Sequence, residues 1–449
     1  MRQIPALGRA TGAIAWFLYQ GIMAAALLVS APFILIRRGR HYKETLIPRL
    51  GFYPAAESPR SGGRLWVHAV SVGEVGVAAT LIGALPQDLP LVVTTVTPTG
   101  QGRARKSFQP RAAVTYLPFD FGFSIRRFLQ RYRPAAVILT EGDLWPLLLH
   151  HLKRRQSPIV VVNGRISDRS FNRMRRLKPF LSPLFRPIAH FAMQTAEDRR
   201  RLLALGVEAS RATVTGNLKY ETPEPPRHRA LEGAFETLAA GRPILVAGST
   251  MAGEEEAVLD AFEALGGAPA ALLILVPRHP ERWNEVAELL RRRGVPAMRR
   301  TEIDPGDPRP GGGAAQAVPG VVLLDSLGEL AALYRIATAA FVGGTLVPTG
   351  GHNPLEPARF AVPTAVGSSM ENFREIAGHF DAAGAWARVG GGGELGETWK
   401  GWLDDPARGA EVGRRALELI RGNRGALEET LKVLETIYPA AGRDTGVEG

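Results

Sequence analysis

Carboxylate side chains directly follow two apolar, β-rich runs in the first half of the chain. Glu74 follows the run at 65–70 within the glycine-flanked segment SVGEVG, and Glu141 and Asp143 follow the run at 135–140. A carboxylate at a strand end can act as a general base for a hydroxyl group. Alternatively, Glu74 complements a helix dipole, and the other two orient an acceptor, bind a cation or cap a helix. The pattern alone leaves these interpretations open.

Basic side chains occupy comparable positions. Arg165 in NGRISDRS and Lys219 in TGNLKY follow strand-like runs, and Arg278 and His279 emerge at a proline turn after ALLILV. Cations at strand ends suit the recognition of phosphate or carboxylate groups. The alternative for each of them is a solvated surface cation.

Two glycine-rich segments in the second half could bind an anion. The segment 247–257, AGSTMAGEEEA, predicts a helix start whose amides cradle an anion, or else an ordinary N-cap with acidic residues in the first turn. The segment 341–358 places two glycine pairs before Asn353 and Glu356. Its glycines let amides approach a phosphate, and a helix-borne carboxylate can bridge ribose hydroxyls, so it predicts a nucleotide site. Neither of these two segments contains a Walker loop or a GxGxxG fingerprint.

The elements that must position these residues are buried strands alternating with helices. Such runs predict parallel α/β sheets with both faces covered. A proline-rich linker at 221–233 separates two series and predicts a hinge between two domains. The runs are 65–70, 91–96, 135–140 and 159–163 in the first series, and 243–249, 271–279, 320–326, 337–344 and 363–368 in the second.

The N-terminus carries a long uncharged stretch. Residues 10–36 contain no Asp, Glu, Lys or Arg, and Arg37, Arg38, Arg40 and Lys43 come directly after them. A span needs about 20 apolar residues, and a basic flank on one side favours a cytoplasmic location for the chain on that side. We therefore predict a single-pass anchor that holds the catalytic domains at the cytoplasmic face of the inner membrane. A cleaved signal peptide and an internal core helix are the alternatives.

The composition of the chain excludes some kinds of site and favours an anionic binding partner. The 449 residues carry a formal net charge of +12 and no cysteine, which excludes disulfides, thiolate metal sites and a cysteine nucleophile. The positive charge indicates an anionic partner. Without a zinc-finger or RNP-type motif, an anionic membrane surface is favoured over nucleic acid.

A set of motifs extends over nearly the whole chain. The motifs are RLGF (49–52), WVHAVSVGE (66–74), EGDLWP (141–146), NGRISDRS (163–170), TGNLKY (215–220), GST (248–250) with GEEE (253–256), VPRHP (276–280), DSLGELAALY (325–334) and GGHNPLEP. Together these motifs resemble the 3-deoxy-D-manno-octulosonic acid (Kdo) transferases of lipopolysaccharide biosynthesis. The resemblance implies a GT-B type α/β fold with two Rossmann-like domains facing a central cleft. It also implies inverting transfer of Kdo from CMP-Kdo to a lipid A precursor, lipid IVA.

The resemblance also assigns roles. It implies that Glu74 is the general base and that Glu141 and Lys219 stabilise the transition state. A monophosphate leaving group does not require a diphosphate-chelating metal, so we expect no metal and no cofactor. The expected division is an anchor (1–40), an acceptor-binding domain (41–225) and a CMP-Kdo-binding domain (226–449). The implied CMP site comprises Pro277, Arg278, Gly328, Glu329, Leu330, Asn353, Pro354, Leu355 and Glu356.

Two positions depart from the family pattern. Asp143 stands where members often have glutamate, and Met251 stands where they often have histidine. Two rival functions stay open on the sequence alone. One is a glycosyltransferase of the same fold that uses a UDP-linked donor, and the other is a non-catalytic membrane scaffold.

Overall fold

The apolar runs form the strands of two parallel sheets. The structure is a computed structural model, and it describes residues 19–21, 23–25, 29, 45–53, 63–221, 224–304 and 319–439. Contacts divide the chain into two compact units, Met1–Thr222 with Arg424–Gly449, and Pro223–Asn423. Every run predicted as a strand lies in one of the two sheets, so the predicted α/β class is confirmed.

The first unit holds a parallel sheet in the order β3-β2-β1-β4-β5-β6-β7. Its strands are β1 (Arg64–His68), β2 (Leu91–Thr95), β3 (Ala112–Tyr116), β4 (Pro134–Thr140), β5 (Ile159–Gly164), β6 (His190–Met193) and β7 (Ala212–Val214). Its helices are α1 (Val72–Ala84), α2 (Pro98–Phe108), α3 (Gly122–Tyr132), α4 (Pro146–Arg154), α5 (Asp168–Arg176), α6 (Lys178–Phe185) and α7 (Ala196–Ala204).

The helices cover both faces of this sheet because the strands are apolar on both sides. One core contains Trp66 and Val92 together with Phe128 of α3. The other contains Val67 and Val93 together with apolar residues of α1 and α2. Helices α3 and α4 therefore lie on one face of the sheet, and α1 and α2 lie on the opposite face.

The second unit repeats this architecture, with strand order β10-β11-β9-β8-β12-β13-β14. Its strands are β8 (Ile244–Thr250), β9 (Leu272–Pro277), β10 (Ala297–Arg299), β11 (Val321–Leu323), β12 (Ala339–Val342), β13 (Thr364–Val366) and β14 (Ala387–Arg388). Its helices are α8 (Arg229–Ala239), α9 (Glu254–Ala264), α10 (Trp283–Arg292), α11 (Leu330–Leu333), α12 (Leu355–Ala358), α13 (Arg374–Ala383), α14 (Gly392–Asp404) and α15 (Pro406–Gly422).

The last helix, α16 (Ala426–Ile437), belongs to the first unit, whereas the sequence division places it in the 226–449 domain. Leu431 and Leu434 enter the core beside α1 and β1. The backbone N–H of Gly425, at the N-cap of α16, donates to the carboxylate of Glu221. The chain thus returns to its first unit after completing the second, because the apolar stripe of α16 is buried there.

The predicted anchor, residues 1–40, falls almost entirely outside the described residues, so it stays a prediction. Among the residues that are described, no helix is both long enough and apolar enough to cross a bilayer.

Candidate functional site

Each sheet has one point where the strand order reverses, which we call the switch point, and the candidate residues lie near it. In the first sheet β1 and β4 are neighbours whose following connections run in opposite directions, and in the second sheet β8 and β12 are the equivalent pair. Such a point opens a crevice at the carboxyl ends of the strands, which is where ligands of doubly wound sheets bind. Glu74 follows β1 and Glu141 follows β4.

Glu74 lies in the first turn of α1 and reaches back over the end of β1. Its Oε2 accepts hydrogen bonds from the backbone N–H of Val70 at 2.9 Å and from the hydroxyl of Thr140 at 2.9 Å, and its Oε1 accepts one from Ser71 Oγ at 3.2 Å. The carboxylate therefore joins the end of β1 to the end of β4. The two interpretations of Glu74 from the sequence are therefore compatible, because Glu74 is an acidic residue in the first turn of a helix and also lies at the switch point.

The hydroxyl of Thr140 cannot serve all of its neighbours at once. Its Oγ1 lies 2.7 Å from the carbonyl oxygen of His68 and 2.9 Å from Glu74 Oε2, and it carries a single proton. When the proton goes to His68, only a protonated Glu74 can complete the second hydrogen bond. The geometry thus suits both protonation states of Glu74, as a group that accepts and releases a proton requires.

The environment of Glu74 places its pKa near neutrality. Its pKa is raised to about 7, mainly because the carboxyl group is buried and partly because of the negative charges of Glu141 and Asp143; the hydrogen bonds from Val70 and Thr140 act in the opposite direction. A carboxyl group with a pKa near 7 lies in the pKa range that a general base needs at neutral pH.

This raised pKa makes stability fall as pH increases. The folded protein holds the Glu74 proton more tightly than the unfolded chain does, so the stabilisation is complete below the ordinary pKa of 4.5 and is lost as pH rises through about 7. We expect Glu74→Gln, which cannot titrate, to gain about 2 kcal/mol in unfolding free energy over wild type between pH 5.5 and 8.5. Denaturant titrations at the two pH values measure this, and a pH-independent difference would contradict it.

Glu141 forms the centre of an ion-pair cluster beside Glu74. Lys219 Nζ lies 2.9 Å from Glu141 Oε1, and Arg165 Nε lies 2.9 Å from Glu141 Oε2. Glu141 and Lys219 are both largely buried. The backbone of Glu141 has a positive φ of 56°, a conformation that non-glycine residues rarely adopt and that tends to persist at functional sites. The structure therefore brings together three residues that the sequence presented as separate candidates.

Neither Glu141 nor Asp143 caps the helix that follows them. Trp145 is the N-cap of α4 and makes no side-chain capping bond. The free amides of the first turn are bound by Asp120, whose carboxylate accepts from Leu147 N at 3.0 Å and Leu148 N at 2.8 Å. Asp120, which the sequence analysis missed, supplies the cap, so Glu141 and Asp143 are left to shape the charge around Glu74.

In the second unit, Arg278 and the glycine-rich loop meet at one edge of the sheet. Pro277 ends β9 and is buried, and Arg278 behind it is exposed. Burial lowers the pKa of His352 to about 4, and the charges of Arg278 and His279 lower it as well. The PRHP and GGHNP motifs thus create one positive region at the ends of β9 and β12, which favours an anion.

The glycine loop does not offer its amides to a ligand in the way that the sequence predicts. The fully buried carboxylate of Glu254 accepts from the backbone N–H groups of Gly344 at 2.6 Å, Thr345 at 2.8 Å and Leu346 at 2.8 Å. It also accepts from Met251 N at 2.9 Å. The anion in this cradle is the protein's own side chain, and it joins the loop after β8 to the loop after β12.

A close backbone approach explains the first glycine of this loop. A Cβ on Gly343 would lie 2.4 Å from the carbonyl oxygen of Ser249. Any larger residue would therefore push the ends of β8 and β12 apart. A glycine is needed at this position to bring the two loops together.

The remaining residues predicted to bind the nucleotide lie near the ends of β8, β11 and β12. Gly328 is exposed with a φ of 92°, and Glu329 pairs with Arg300 at 2.9 Å and accepts from the Ser326 hydroxyl. Leu330 lies against Gly248 at the end of β8. This loop is therefore fixed by its own polar contacts, with Gly328 at its exposed tip.

Asn353 and Glu356 share the start of α12, as their spacing predicts. Asn353 Nδ2 donates to Glu356 Oε1 at 3.4 Å, and Asn353 Oδ1 accepts from Leu355 N at 3.1 Å. Both side chains are half-buried, whereas Pro354 and Leu355 are buried. Asn353 and Glu356 are thus the pair that can contact a ligand through side chains, and Pro354 and Leu355 support them.

In the part of the chain that the structure describes, no group of three or more His, Cys, Asp or Glu side chains could hold a metal ion.

Comparison with known proteins bears on both units. A family model described as 3-deoxy-D-manno-octulosonic-acid transferase (kdotransferase) matches residues 44–222. A 3-deoxy-D-manno-octulosonic acid transferase of Haemophilus influenzae is 36% identical over 421 residues, which cover 91% of this chain and 96% of the relative. The transferase of the same name from Bordetella pertussis is 32% identical and covers 93% of this chain and 99% of the relative.

The solved structures support the fold. The UDP-GlcNAc 2-epimerase from Neisseria meningitidis bound to UDP-GlcNAc has a TM-score of 0.55 at 13% identity, and the match covers 84% of this chain and 100% of that one. A likeness at this identity shows the architecture alone, an α/β fold with two parallel sheets of the GT-B kind.

Proposed function

Because this chain belongs to the Kdo transferase family of glycosyltransferases, we propose that it transfers Kdo from CMP-Kdo to the lipid A precursor lipid IVA, with inversion at the anomeric carbon. The observation that carries this proposal is the state of Glu74. It is a carboxyl group at a switch point, with a pKa raised to about 7 by burial, beside the Glu141–Lys219 ion pair. That combination is suited to accepting a proton from an attacking hydroxyl.

The proposed step is a single displacement. The acceptor hydroxyl oxygen forms a bond to the anomeric carbon of Kdo while its proton passes to Glu74 Oε2 or Oε1. The bond between that carbon and the CMP phosphate oxygen breaks, and both of its electrons leave with CMP. One carboxylate is sufficient for this chemistry, because no covalent intermediate on the protein is needed and inversion follows from one displacement.

Glu141 and Lys219 act on the charge of this step. Lys219 is held by Glu141 at 2.9 Å, so its ammonium is fixed near the reacting groups rather than mobile. A preorganised cation stabilises the negative charge that develops on the departing group. Arg165, on the other side of Glu141, gives the cluster of Glu141, Lys219 and Arg165 a net positive charge.

The second unit is proposed to hold the nucleotide. The cation of Arg278, next to His352, would receive the phosphate, and the half-buried carboxylate of Glu356 with Asn353 would contact the ribose hydroxyls. The exposed tip at Gly328, followed by Glu329 and Leu330, would form the remaining wall, with Pro277, Pro354 and Leu355 as supports.

The acceptor is a lipid, so we place the enzyme at the inner membrane with its catalytic units in the cytoplasm. The uncharged run at 10–36 is long enough to enter a bilayer, and the net charge of +12 suits an anionic leaflet. In this proposal, an N-terminal anchor keeps the enzyme where its acceptor lies.

Mass spectrometry of the lipid product tests the function. The full-length protein, extracted in detergent, is incubated with CMP-Kdo and a tetraacylated lipid A precursor. We expect mass gains equal to one or more Kdo residues, with release of an equal amount of CMP. An unchanged lipid with intact CMP-Kdo would overturn the proposal.

Two companion measurements separate the two rival functions. Transfer from a UDP-sugar but not from CMP-Kdo would indicate a different glycosyltransferase of this fold. Binding of CMP-Kdo without its consumption would indicate a scaffold. The first outcome is read from a parallel reaction with a UDP-sugar as donor, and the second from calorimetric binding of CMP-Kdo to protein that leaves the lipid mass unchanged.

A further inference from the structure

The outer surface of helices α3 and α4, which we call the α3–α4 face, is strongly basic. No Asp or Glu occurs in the sequence at 121–140 or 144–167, which contain these helices. All of the cations on this face are exposed except Arg131, which is half-buried. They are Arg126, Arg127, Arg131 and Arg133 on and after α3, and Lys153, Arg154 and Arg155 on and after α4.

The charges of the two helices form one positive region. Helices α3 and α4 pack against each other on one face of the first sheet. Burial lowers the pKa of His151 to about 4, and the charges of Arg126, Arg154 and Arg155 lower it as well, together with His150. Cations from both helices thus surround the same ring, which makes the face a single anion-attracting surface.

Exposed aromatic rings lie beside these cations. Phe52 is 53% exposed and Phe123 is 42% exposed. The guanidinium of Arg127 lies 4.3 Å from the ring centre of Phe52 and 5.7 Å from that of Phe123. Large rings next to arginines are the composition of surfaces that insert into the headgroup region of a bilayer.

The same face contains a hollow beside a buried hydroxyl group. The hollow has a volume of about 430 Å³ and is lined by Gly51, Tyr53, Arg127, Gln130, Arg131 and Arg133. The hydroxyl of Tyr53 is buried and has no hydrogen-bond partner among the described residues. A phosphate group in the hollow would supply an acceptor for that hydroxyl and for the guanidinium groups.

The α3–α4 face also adjoins the uncharged N-terminal run. The hydroxyl of Tyr19 donates to Asp120 Oδ2 at 2.7 Å, and Gly122 N, at the start of α3, donates to Gln20 Oε1 at 3.0 Å. Tyr19 and Gln20 lie inside the run at 10–36. The basic face and the most apolar part of the chain therefore meet at the start of α3.

We propose that the α3–α4 face docks on the surface of an anionic phospholipid bilayer, with Phe52 and Phe123 among the headgroups and the arginines on lipid phosphates. The assignment rests on the proposed function, which places the enzyme at a membrane. A bilayer accounts for all of these features, because it supplies many phosphates to a broad surface and an apolar phase to the rings. A nucleic acid or a protein partner would leave the adjoining uncharged run without a role.

Fluorescence quenching tests the contact directly. Because the chain has no cysteine, Phe123→Cys provides a unique attachment point for the environment-sensitive fluorophore NBD on the full-length protein. Vesicles contain three parts phosphatidylcholine to one part phosphatidylglycerol and a headgroup-level spin-labelled lipid as quencher. We expect strong quenching with these vesicles and a weak effect with phosphatidylcholine alone.

A matched control uses the opposite face of the same sheet. Ser107→Cys lies on α2, among the exposed cations Arg103, Arg105 and Lys106, and α2 packs into the other core. Its label should not be quenched. Quenching at Ser107→Cys but not at Phe123→Cys, or at neither position, would overturn the proposal. Insertion of an N-terminal anchor does not require phosphatidylglycerol, so equal quenching at Phe123→Cys in both kinds of vesicle would also overturn the proposal.

Charge variants test the role of the arginines. Each cation near an anionic leaflet strengthens partitioning about fivefold. We therefore expect Arg126→Gln with Arg154→Gln to weaken the phosphatidylglycerol-dependent part of vesicle binding by roughly 25-fold. Arg103→Gln with Arg105→Gln should leave it within about twofold of wild type. Equal losses in both variants would contradict a specific face. Kdo transfer to acceptor in detergent is measured on the same variants, so failure of the docking proposal is distinguishable from failure of the proposed function.

Discussion

Glu74→Gln should lower the turnover number for Kdo transfer by a factor of about 10²–10⁴, the range that a positioned general base contributes. Glutamine keeps the size of the side chain and can still accept from Val70 N and the Thr140 hydroxyl, which the carboxylate contacts at 2.9 Å each. It cannot take up the proton of the acceptor. CMP-Kdo binding should stay within about twofold of wild type, because the proposed nucleotide residues all belong to the second unit. Initial rates of CMP release and calorimetric donor binding measure the two quantities.

The pH profile makes this result specific. Wild-type activity should rise with pH up to about 7, as Glu74 loses its proton. The residual activity of Glu74→Gln should lack this rise. Glu208→Gln, the same chemical change at an exposed position of the first unit, serves as the control and should leave the rate and its pH dependence unchanged. Normal turnover in Glu74→Gln, or a lost rate with the same pH profile, would remove Glu74 from the role of base.

The sequence was sufficient to predict the strands that carry these residues. The runs before Glu74 and Glu141 are apolar on both faces of the sheet, and continuous apolar runs of that length have few alternatives in an α/β protein. Strands β3 and β6 of the first sheet and β10 and β14 of the second were not predicted, and β7 was anticipated only as a strand-like run before Lys219. β3 is partly exposed in its middle, β6 begins with a histidine, and β10 and β14 have only three and two residues, so none of them shows a long apolar run.

The sequence pattern could not predict which side chains pair with each other at the site. Glu141 follows the central strand β4, whereas Lys219 comes after β7 at the edge of the sheet, in the 3₁₀ turn at 218–221. The two side chains nevertheless form an ion pair, although the residues lie far apart in the sequence. Spacing marked both residues as strand-end charges but could not tell a solvated lysine from a paired one. The family resemblance supplied the pairing of roles, and the fold supplies the 2.9 Å contact.

The glycine loop shows how a local pattern can be misread. Glycines followed by a polar helix start predict amides that are open to a phosphate. Three of those amides are instead bound by Glu254, a residue 90 positions earlier than Gly344. A buried carboxylate with four N–H donors satisfies its own charge and theirs, so nothing in the composition of the loop reveals that its amides are occupied.

This arrangement makes Glu254 the second position where a large effect is expected. Glu254→Ala should reduce the unfolding free energy of the second unit by about 3–5 kcal/mol, because it leaves buried amides of two loops without acceptors. Gly344, Thr345, Leu346 and Met251 each lose the oxygen they donate to. Denaturant titration followed by tryptophan fluorescence, to which Trp399 and Trp402 in the core of this unit contribute, measures the loss.

A matched control lies two residues away on the same helix. Glu256 is also in the first turn of α9 but is exposed, so Glu256→Ala loses only its favourable position near the helix dipole, about 0.3–1 kcal/mol. The unfolding free energy of Glu254→Gln should lie between those of Glu254→Ala and Glu256→Ala, because glutamine keeps one acceptor oxygen but places an amide group against the N–H donors. CMP-Kdo affinity should follow the same order, since the loops that Glu254 joins lead into the segment of His352, Asn353 and Glu356. If Glu254→Ala and Glu256→Ala were equally stable, the carboxylate would not hold the loops together, and the nucleotide segment would have to be positioned by its own contacts alone.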